Sequence, residues 1–318
     1  MHEVAPDFVI VGTPRSGTTL IQRLASEIPG VVVPPETHFF SEFYRGLIRR
    51  RRFPLNDSGL REELVLYQGM KTSNGLHLDV EKVLDLLEGF SAGPGDLYGA
   101  LTRSLAGPAA LVGEKTPDHL RWWEPLTRAY GDIRVVGVVR DPRGVVASRI
   151  TAGWGALVPE LLAARWRLDQ RELARAATSL GPKRYLQIRY EDAVTAPDRT
   201  REALAQWLAI TDGVPERDNV AAERLFLSWE HWKQRAAEPV TTDRITAWTE
   251  TIAPDRVPNV LFLCRPEMIR LGYWSGAEEG ALAGGRPSIS PQVRIKIARM
   301  TLSRFRERRW IARQKLSN

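Results

Sequence analysis

The run Phe8-Val9-Ile10-Val11 leads directly into Gly12-Thr13-Pro14-Arg15-Ser16-Gly17-Thr18-Thr19-Leu20. An apolar, β-branched stretch of this kind predicts a buried strand. Two glycines bounding a short polar loop ahead of a helical pattern turn backbone N–H groups toward a bound anion. Gly12 and Gly17 keep the spacing of GxxxxGK[ST], but Thr18 stands where that motif carries lysine, and Arg15 supplies positive charge earlier in the loop. The loop is therefore suited to a phosphate-like group without the usual grip on a γ-phosphate.

Four more short runs recur between helical patterns: Val31 to Val33, Leu111 to Gly113, Arg134 to Val139 and Tyr185 to Arg189. Their alternation with helices predicts an α/β, P-loop-type three-layer fold with a mainly parallel central sheet. Each run ends in a polar cluster: Pro34-Pro35-Glu36-Thr37-His38, Glu114-Lys115-Thr116-Pro117, Arg140-Asp141-Pro142-Arg143 and Tyr190-Glu191-Asp192. Ligands of open α/β sheets bind beyond the carboxyl ends of the strands, so all these clusters are expected to face one crevice. Residues 39–110 form a helical insertion between the second and third strands, including Leu60 to Gln68 and Val80 to Leu87, where specificity for a substrate is expected. Asp141 before Pro142 reads as a helix N-cap.

The chain has 318 residues, 43% of them hydrophobic, enough for one substantial core. Its single cysteine, Cys264, excludes an internal disulfide framework, and the first strand starts too early for a preceding signal peptide, so a reducing cytoplasmic setting is expected. No stretch approaches the ~20 apolar residues of a membrane span. Charge is uneven: from Arg286 onward ten Lys/Arg face Glu307 alone, giving +9 in the tail against +7 for the whole chain. The body is thus nearly neutral, which argues against a nucleic-acid partner. We expect a domain over residues 1–275, a Gly/Ala/Pro/Ser-rich link over 276–291 that separates the tail from the body, and a basic amphipathic C-terminal helix. That helix either packs on the body, joins a homodimer, makes peripheral membrane contact or stays disordered.

Pro14-Arg15-Ser16-Gly17-Thr18-Thr19 resembles the 5′-phosphosulfate loop of sulfotransferases that use 3′-phosphoadenosine 5′-phosphosulfate (PAPS). The arginine variant is similar to the tyrosylprotein sulfotransferases and their bacterial relatives; cytosolic phenol sulfotransferases carry lysine there. Arg140 at a strand end with Ser148 eight residues on resembles the 3′-phosphate motif of the same superfamily. The resemblance implies that Arg15, Ser16, Gly17, Thr18 and Thr19 hold the 5′-phosphate, and that Arg140 and Ser148 hold the 3′-phosphate. Tyr190 matches a family motif near the nucleotide, although a core tyrosine is an alternative reading. Glu238 to Trp248 resembles the segment that closes over the nucleotide; relatives have lysine where Ala247 stands, leaving Arg244 as the substitute cation. Leu271-Gly272-Tyr273 matches the end of the family core.

Where the phenol branch has Lys-Thr-His with a histidine base, this chain reads Lys115-Thr116-Pro117. The tyrosylprotein branch takes its base from a Glu-Thr-Arg segment, which points to Glu36 in Pro35-Glu36-Thr37-His38. A carboxylate needs a partly enclosed site to act on a hydroxyl, and His38, with an unperturbed pKa of about 6.5, is the rival base. Lys115 and Arg15 are expected to neutralise charge on the transferring sulfuryl group, with an ion pair to Glu114 or Asp118 as the structural alternative for Lys115. His119 is expected at the surface or behind the site.

These residues point to a PAPS-dependent sulfotransferase acting on a hydroxyl of a small molecule, glycan or lipid, with no metal. Two alternatives are a phosphotransferase with a degenerate P-loop and a non-catalytic nucleotide-binding adaptor whose tail lies on a membrane surface. The first would need Mg²⁺, and the missing lysine argues against it.

Overall fold

The computed structural model describes residues 4–71, 73, 75–88, 92–107, 109, 111–153, 157–210, 226, 227, 230, 238–283 and 287–316. Five strands, β1 (Phe8–Gly12), β2 (Val31–Val32), β3 (Leu111–Lys115), β4 (Arg134–Val139) and β5 (Tyr185–Arg189), form one sheet in the order β2-β3-β1-β4-β5. Every pairing is parallel, as the βα alternation predicts. β1 sits in the middle, so both of its neighbours bury it and the phosphate-type loop leaves from the centre of the sheet.

Alternation along the strands divides the core between two faces. Val9, Val11, Val135 and Val139 belong to one apolar cluster, while Phe8, Ile10, Val136, Val138 and Ile188 belong to the other. The second face is covered by the helices Thr18–Ser26 and Pro197–Trp207 through Leu20, Ile21, Leu24, Leu204 and Ala205. The first is covered by Pro159–Arg184, Val257–Arg270 and the insertion. Three layers result.

The insertion holds the helices Tyr44–Arg50, Asp57–Gln68, Val80–Leu87 and Pro94–Ala106, preceded by a wide helical turn at Phe39–Phe43. Its aromatic side chains Phe39, Phe40, Tyr44 and Tyr98 pack on one another and on Trp122, with Phe40 stacked 4.7 Å from Trp122.

The stretch expected as a separating link is instead docked. Gly276–Ala283 is a helix; Glu278 accepts from Ser275 N at 2.8 Å and pairs with Arg143 at 2.7 Å, and Ser288 N donates to Asn259 at 2.8 Å. Residues 284–286 of that stretch lie outside the described residues. The basic helix Pro291–Ile311, capped by Ser290, lies against the body. Ile311 and Leu316 are buried, Trp310 meets Trp122 edge-on at 5.8 Å, and Gly95 N donates to Leu316 O at 2.8 Å. No helix among the described residues is long and apolar enough to cross a membrane.

Candidate active site

The loop after β1 owes its shape to backbone conformations that most residues avoid. Gly17, the N-cap of Thr18–Ser26, has φ 91°, and Arg15, which is not glycine, has φ 79°. A Cβ on Gly17 would meet the Tyr190 ring at 2.3 Å, so only glycine lets that ring lie on the loop. The first-turn amides of the helix, with the hydroxyls of Thr18 and Thr19, open toward a cavity of about 810 Å³.

Arginines converge on the same cavity. Arg15 Nε donates to Ser148 Oγ at 3.1 Å, joining the β1 loop to the helix Pro142–Thr151. Arg140, at the end of β4, donates to the carbonyls of Arg15 at 3.2 Å and Arg244 at 2.8 Å, and lies 4.0 Å from the centre of the Tyr190 ring. Burial, with Arg140 and Arg149 nearby, pulls the Arg15 pKa down to about 10. Burial also lowers that of Arg140. Cations held in mutual repulsion and partly out of water form a site that an anion stabilises. Ser16 Oγ, buried within the loop, has no hydrogen-bond partner among the described residues, and Ser16 is not among the residues that line the cavity.

The Arg140 loop is held from behind. Glu191 accepts from Asp141 N at 3.0 Å and from Tyr273 Oη at 2.7 Å, which explains the shared presence of the Tyr190-Glu191-Asp192 and Leu271-Gly272-Tyr273 segments. Asp141 caps the following helix by accepting from Arg143 N at 2.7 Å. Beyond Arg140 the cavity is walled by Gly144, Ala147, Thr151, Arg244, Ala247 and Trp248.

At the other end stand Glu36 and His38. Glu36 Oε1 is 2.5 Å from Lys115 Nζ, which also donates to Thr19 Oγ1 at 3.3 Å, and Glu36 Oε2 is 3.3 Å from His38 Nε2. Both candidate bases therefore meet in one cluster, with Glu36 buried between an ammonium and an imidazole. Lys115 is fully buried and pairs with Glu36, not with Glu114 or Asp118. Among the described residues none from 39–110 lines this cavity; Thr116, Pro117, Asp118 and Val240 do so. The insertion instead supports the loop that carries Glu36, since Tyr67 Oη donates to Thr37 O at 2.6 Å.

Of the two positions expected for His119, at the surface or behind the site, the structure has the second: the side chain is buried. It is 3.0 Å from Glu114, whose carboxylate also accepts from Thr37 at 2.9 Å, Thr116 at 2.6 Å and Tyr98 at 3.2 Å. Burial alone would raise the Glu114 pKa, but His119 and the two threonines outweigh it and hold the carboxyl below its ordinary value. The sequence reading gave Glu114 no role beyond its cluster and an alternative pairing with Lys115, and missed Glu230. Glu114 is flanked by an informative lysine but carries no motif of its own. Glu230 lines the cavity, with a carboxylate oxygen within 4.8 Å of ligand-type atoms on Glu36 and His38. It lies 194 positions from Glu36 with no spacing signal to connect them.

Comparison with known proteins bears on this arrangement. Residues 6–213 match the model of the Sulfotransferase family. The chain is 25% identical to protein-tyrosine sulfotransferase 2 of Gallus gallus over 279 residues, 84% of this chain and 69% of that protein. It is 22% identical to protein-tyrosine sulfotransferase A of Caenorhabditis elegans over 287 residues, 86% and 68% of the two chains. Two solved structures share the fold. The sulfotransferase domain of the Synechococcus PCC 7002 olefin synthase gives a TM-score of 0.56 at 21% identity, covering 82% of this chain and 94% of that one. The sulfotransferase domain of the curacin biosynthetic pathway gives 0.52 at 18% identity, covering 82% and 97%.

Proposed function

The chain belongs to the sulfotransferase family, and from that premise we propose that it moves a sulfuryl group from PAPS to an acceptor hydroxyl, with Glu36 as the general base. The observation that carries this reading is one cavity lined from Arg140 and Ser148 through Arg15 to Thr18 and Thr19, with the buried carboxylate of Glu36 at its other end. PAPS supplies the phosphosulfate whose S–O bond breaks as the acceptor oxygen bonds to sulfur, leaving 3′-phosphoadenosine 5′-phosphate.

In this reading Arg15, Ser16 and the hydroxyls of Thr18 and Thr19 bind the 5′-phosphate side, where leaving-group charge grows. Arg140 and Ser148 bind the 3′-phosphate, Tyr190 stacks over the loop, and Arg244 closes the far side. Glu36 takes the proton of the acceptor hydroxyl. Lys115, in contact with Glu36, stabilises negative charge at the reacting end. His38 orients the second carboxylate oxygen. Family membership favours sulfuryl transfer over the phosphotransferase and adaptor readings.

The acceptor is read as a hydroxyl of a small molecule, glycan or lipid. The names of the curated relatives favour a second reading, a tyrosyl phenol on a protein. Labelled PAPS supplied with hydroxylated metabolites, glycans and lipids in one set, and tyrosine peptides in another, separates the two.

Calorimetry tests the donor. 3′-Phosphoadenosine 5′-phosphate should bind far more tightly than the same nucleotide without its 3′-phosphate, and Arg140→Ala should cost ~1.5–3 kcal/mol of that affinity. Glu36→Gln should leave binding nearly intact and lower turnover by ~10²-fold or more. Equal affinity with and without the 3′-phosphate would overturn the donor assignment. Wild-type turnover in Glu36→Gln together with its loss in His38→Ala would move the base to His38.

A further inference from the structure

The helix Pro291–Ile311 divides its residues between two faces. Val293, Ile297, Trp310 and Ile311 pack on the core. On the outward side, Ile295, Leu302 and Phe305 leave 53%, 50% and 54% of their surface in solvent. With Ala298 they fall at positions i, i+3, i+7 and i+10, one stripe along the helix. Exposed Lys296, Arg299, Arg306 and Arg309 accompany this stripe, and no ion pair is found for any of the four among the described residues. Arg309 lies 5.8 Å from the centre of the Phe305 ring. Glu307, the helix's single acidic residue, is turned inward to Arg45, Arg121 and Arg304. The exposed residues of this helix are thus apolar or cationic apart from the neutral Gln292 and Ser303, and none of them is acidic.

We propose that this face is a docking surface for an anionic lipid bilayer, on which the folded protein lies with Ile295, Leu302 and Phe305 in the interface and the surrounding Lys and Arg at the headgroups. The inference rests on the tail, not on the assignment of the active site. Three apolar side chains in a row have little to gain from a phosphate backbone, whereas an interface accommodates them together with their cations. A second copy is a poor occupant. Pairing two of these stripes would bring Arg299 and Arg306 of each copy against the same residues of the other, with no outward carboxylate to offset them. The body is close to neutral, so attraction to anionic lipid comes from the tail.

Flotation of the full chain with vesicles tests the proposal. Binding is expected to phosphatidylcholine vesicles containing ~30% phosphatidylglycerol, weak binding to pure phosphatidylcholine, and release at ~1 M salt, where the Debye length falls to about 3 Å. Two exposed-face variants, Ile295→Ser/Leu302→Ser/Phe305→Ser and Arg299→Gln/Arg306→Gln/Arg309→Gln, should each lower anionic-vesicle binding by about tenfold or more while keeping sulfotransferase activity on a soluble acceptor and an unchanged circular-dichroism spectrum. Failure of the wild type to bind anionic vesicles, or wild-type binding by both variants, would overturn the proposal. A wild-type dimer in sedimentation that the serine variant converts to monomer would assign the face to a second copy instead.

Discussion

Gly17 carries two constraints in one residue: its φ of 91° and the 2.3 Å gap that a Cβ would leave to Tyr190. Alanine there takes on a left-handed backbone cost of ~1–2 kcal/mol and must also displace a ring that stacks on Arg140. Gly17→Ala is therefore expected to lower stability by about that amount in urea denaturation and, separately, to weaken nucleotide binding measured by calorimetry. A variant that lost stability alone would show that the ring and Arg140 move independently. The same loop places Arg15, whose pKa near 10 leaves it charged at neutral pH, beside Arg140. Repulsion between them is relieved when an anion binds.

Two loops at the ends of β2 and β3 meet through Glu114. Its carboxylate accepts from Thr37 on one loop and Thr116 on the other, so it sets the separation between Glu36 and Lys115, which pair at 2.5 Å. Glu114→Gln replaces an acceptor-only group by one with an NH₂ facing other donors, and charge-assisted hydrogen bonds of this kind are worth ~1.5–3 kcal/mol each. We expect at least that loss of stability and a fall in kcat. Nucleotide affinity should be little changed, because the groups proposed to bind the nucleotide sit on the β1 and β4 loops. Calorimetry alongside single-turnover rates separates these effects, and a matched loss of affinity and rate would contradict the positioning role. The insertion supports the same loops from behind through Tyr67 and Tyr98, placing an element without recognisable motifs in the service of the site.

At the scale of the whole chain, a charged clasp holds the C-terminal helix to the body. Asp118 pairs with Arg121 and Arg165, and Arg304 on the tail pairs with Asp169. Burial would raise the Asp118 pKa, but Arg165, Arg121 and Arg304 outweigh it and hold it at about 2 against an ordinary 3.8. Because the folded value is the lower one, this contribution to stability is complete above about pH 4 and is lost as pH falls toward 2. Asp118→Asn should remove it at every pH. Amide hydrogen exchange across 291–311 at pH 7 is expected to be faster in that variant than in the wild type, and equal rates would show that apolar packing of Trp310, Ile311 and Leu316 holds the tail by itself.

The sequence alone determined the strands, the phosphate-type loop and the clustering of functional groups at the strand ends. Each of these is written in a local pattern: β-branched runs, glycines at a fixed spacing, and polar residues following each run. That Arg15, Arg140 and Ser148 face one cavity was legible for the same reason. Tertiary structure decided what joins residues far apart in the chain. Glu36 meets Lys115 across 79 positions, Glu230 reaches the same cluster, and His119 turns inward to Glu114. It also decided that the stretch from Gly276 docks and that the tail's apolar residues divide between a buried and an exposed face. Composition shows that such residues are present, but only the packed chain determines which surface each one meets, because burial depends on neighbours that local sequence does not specify.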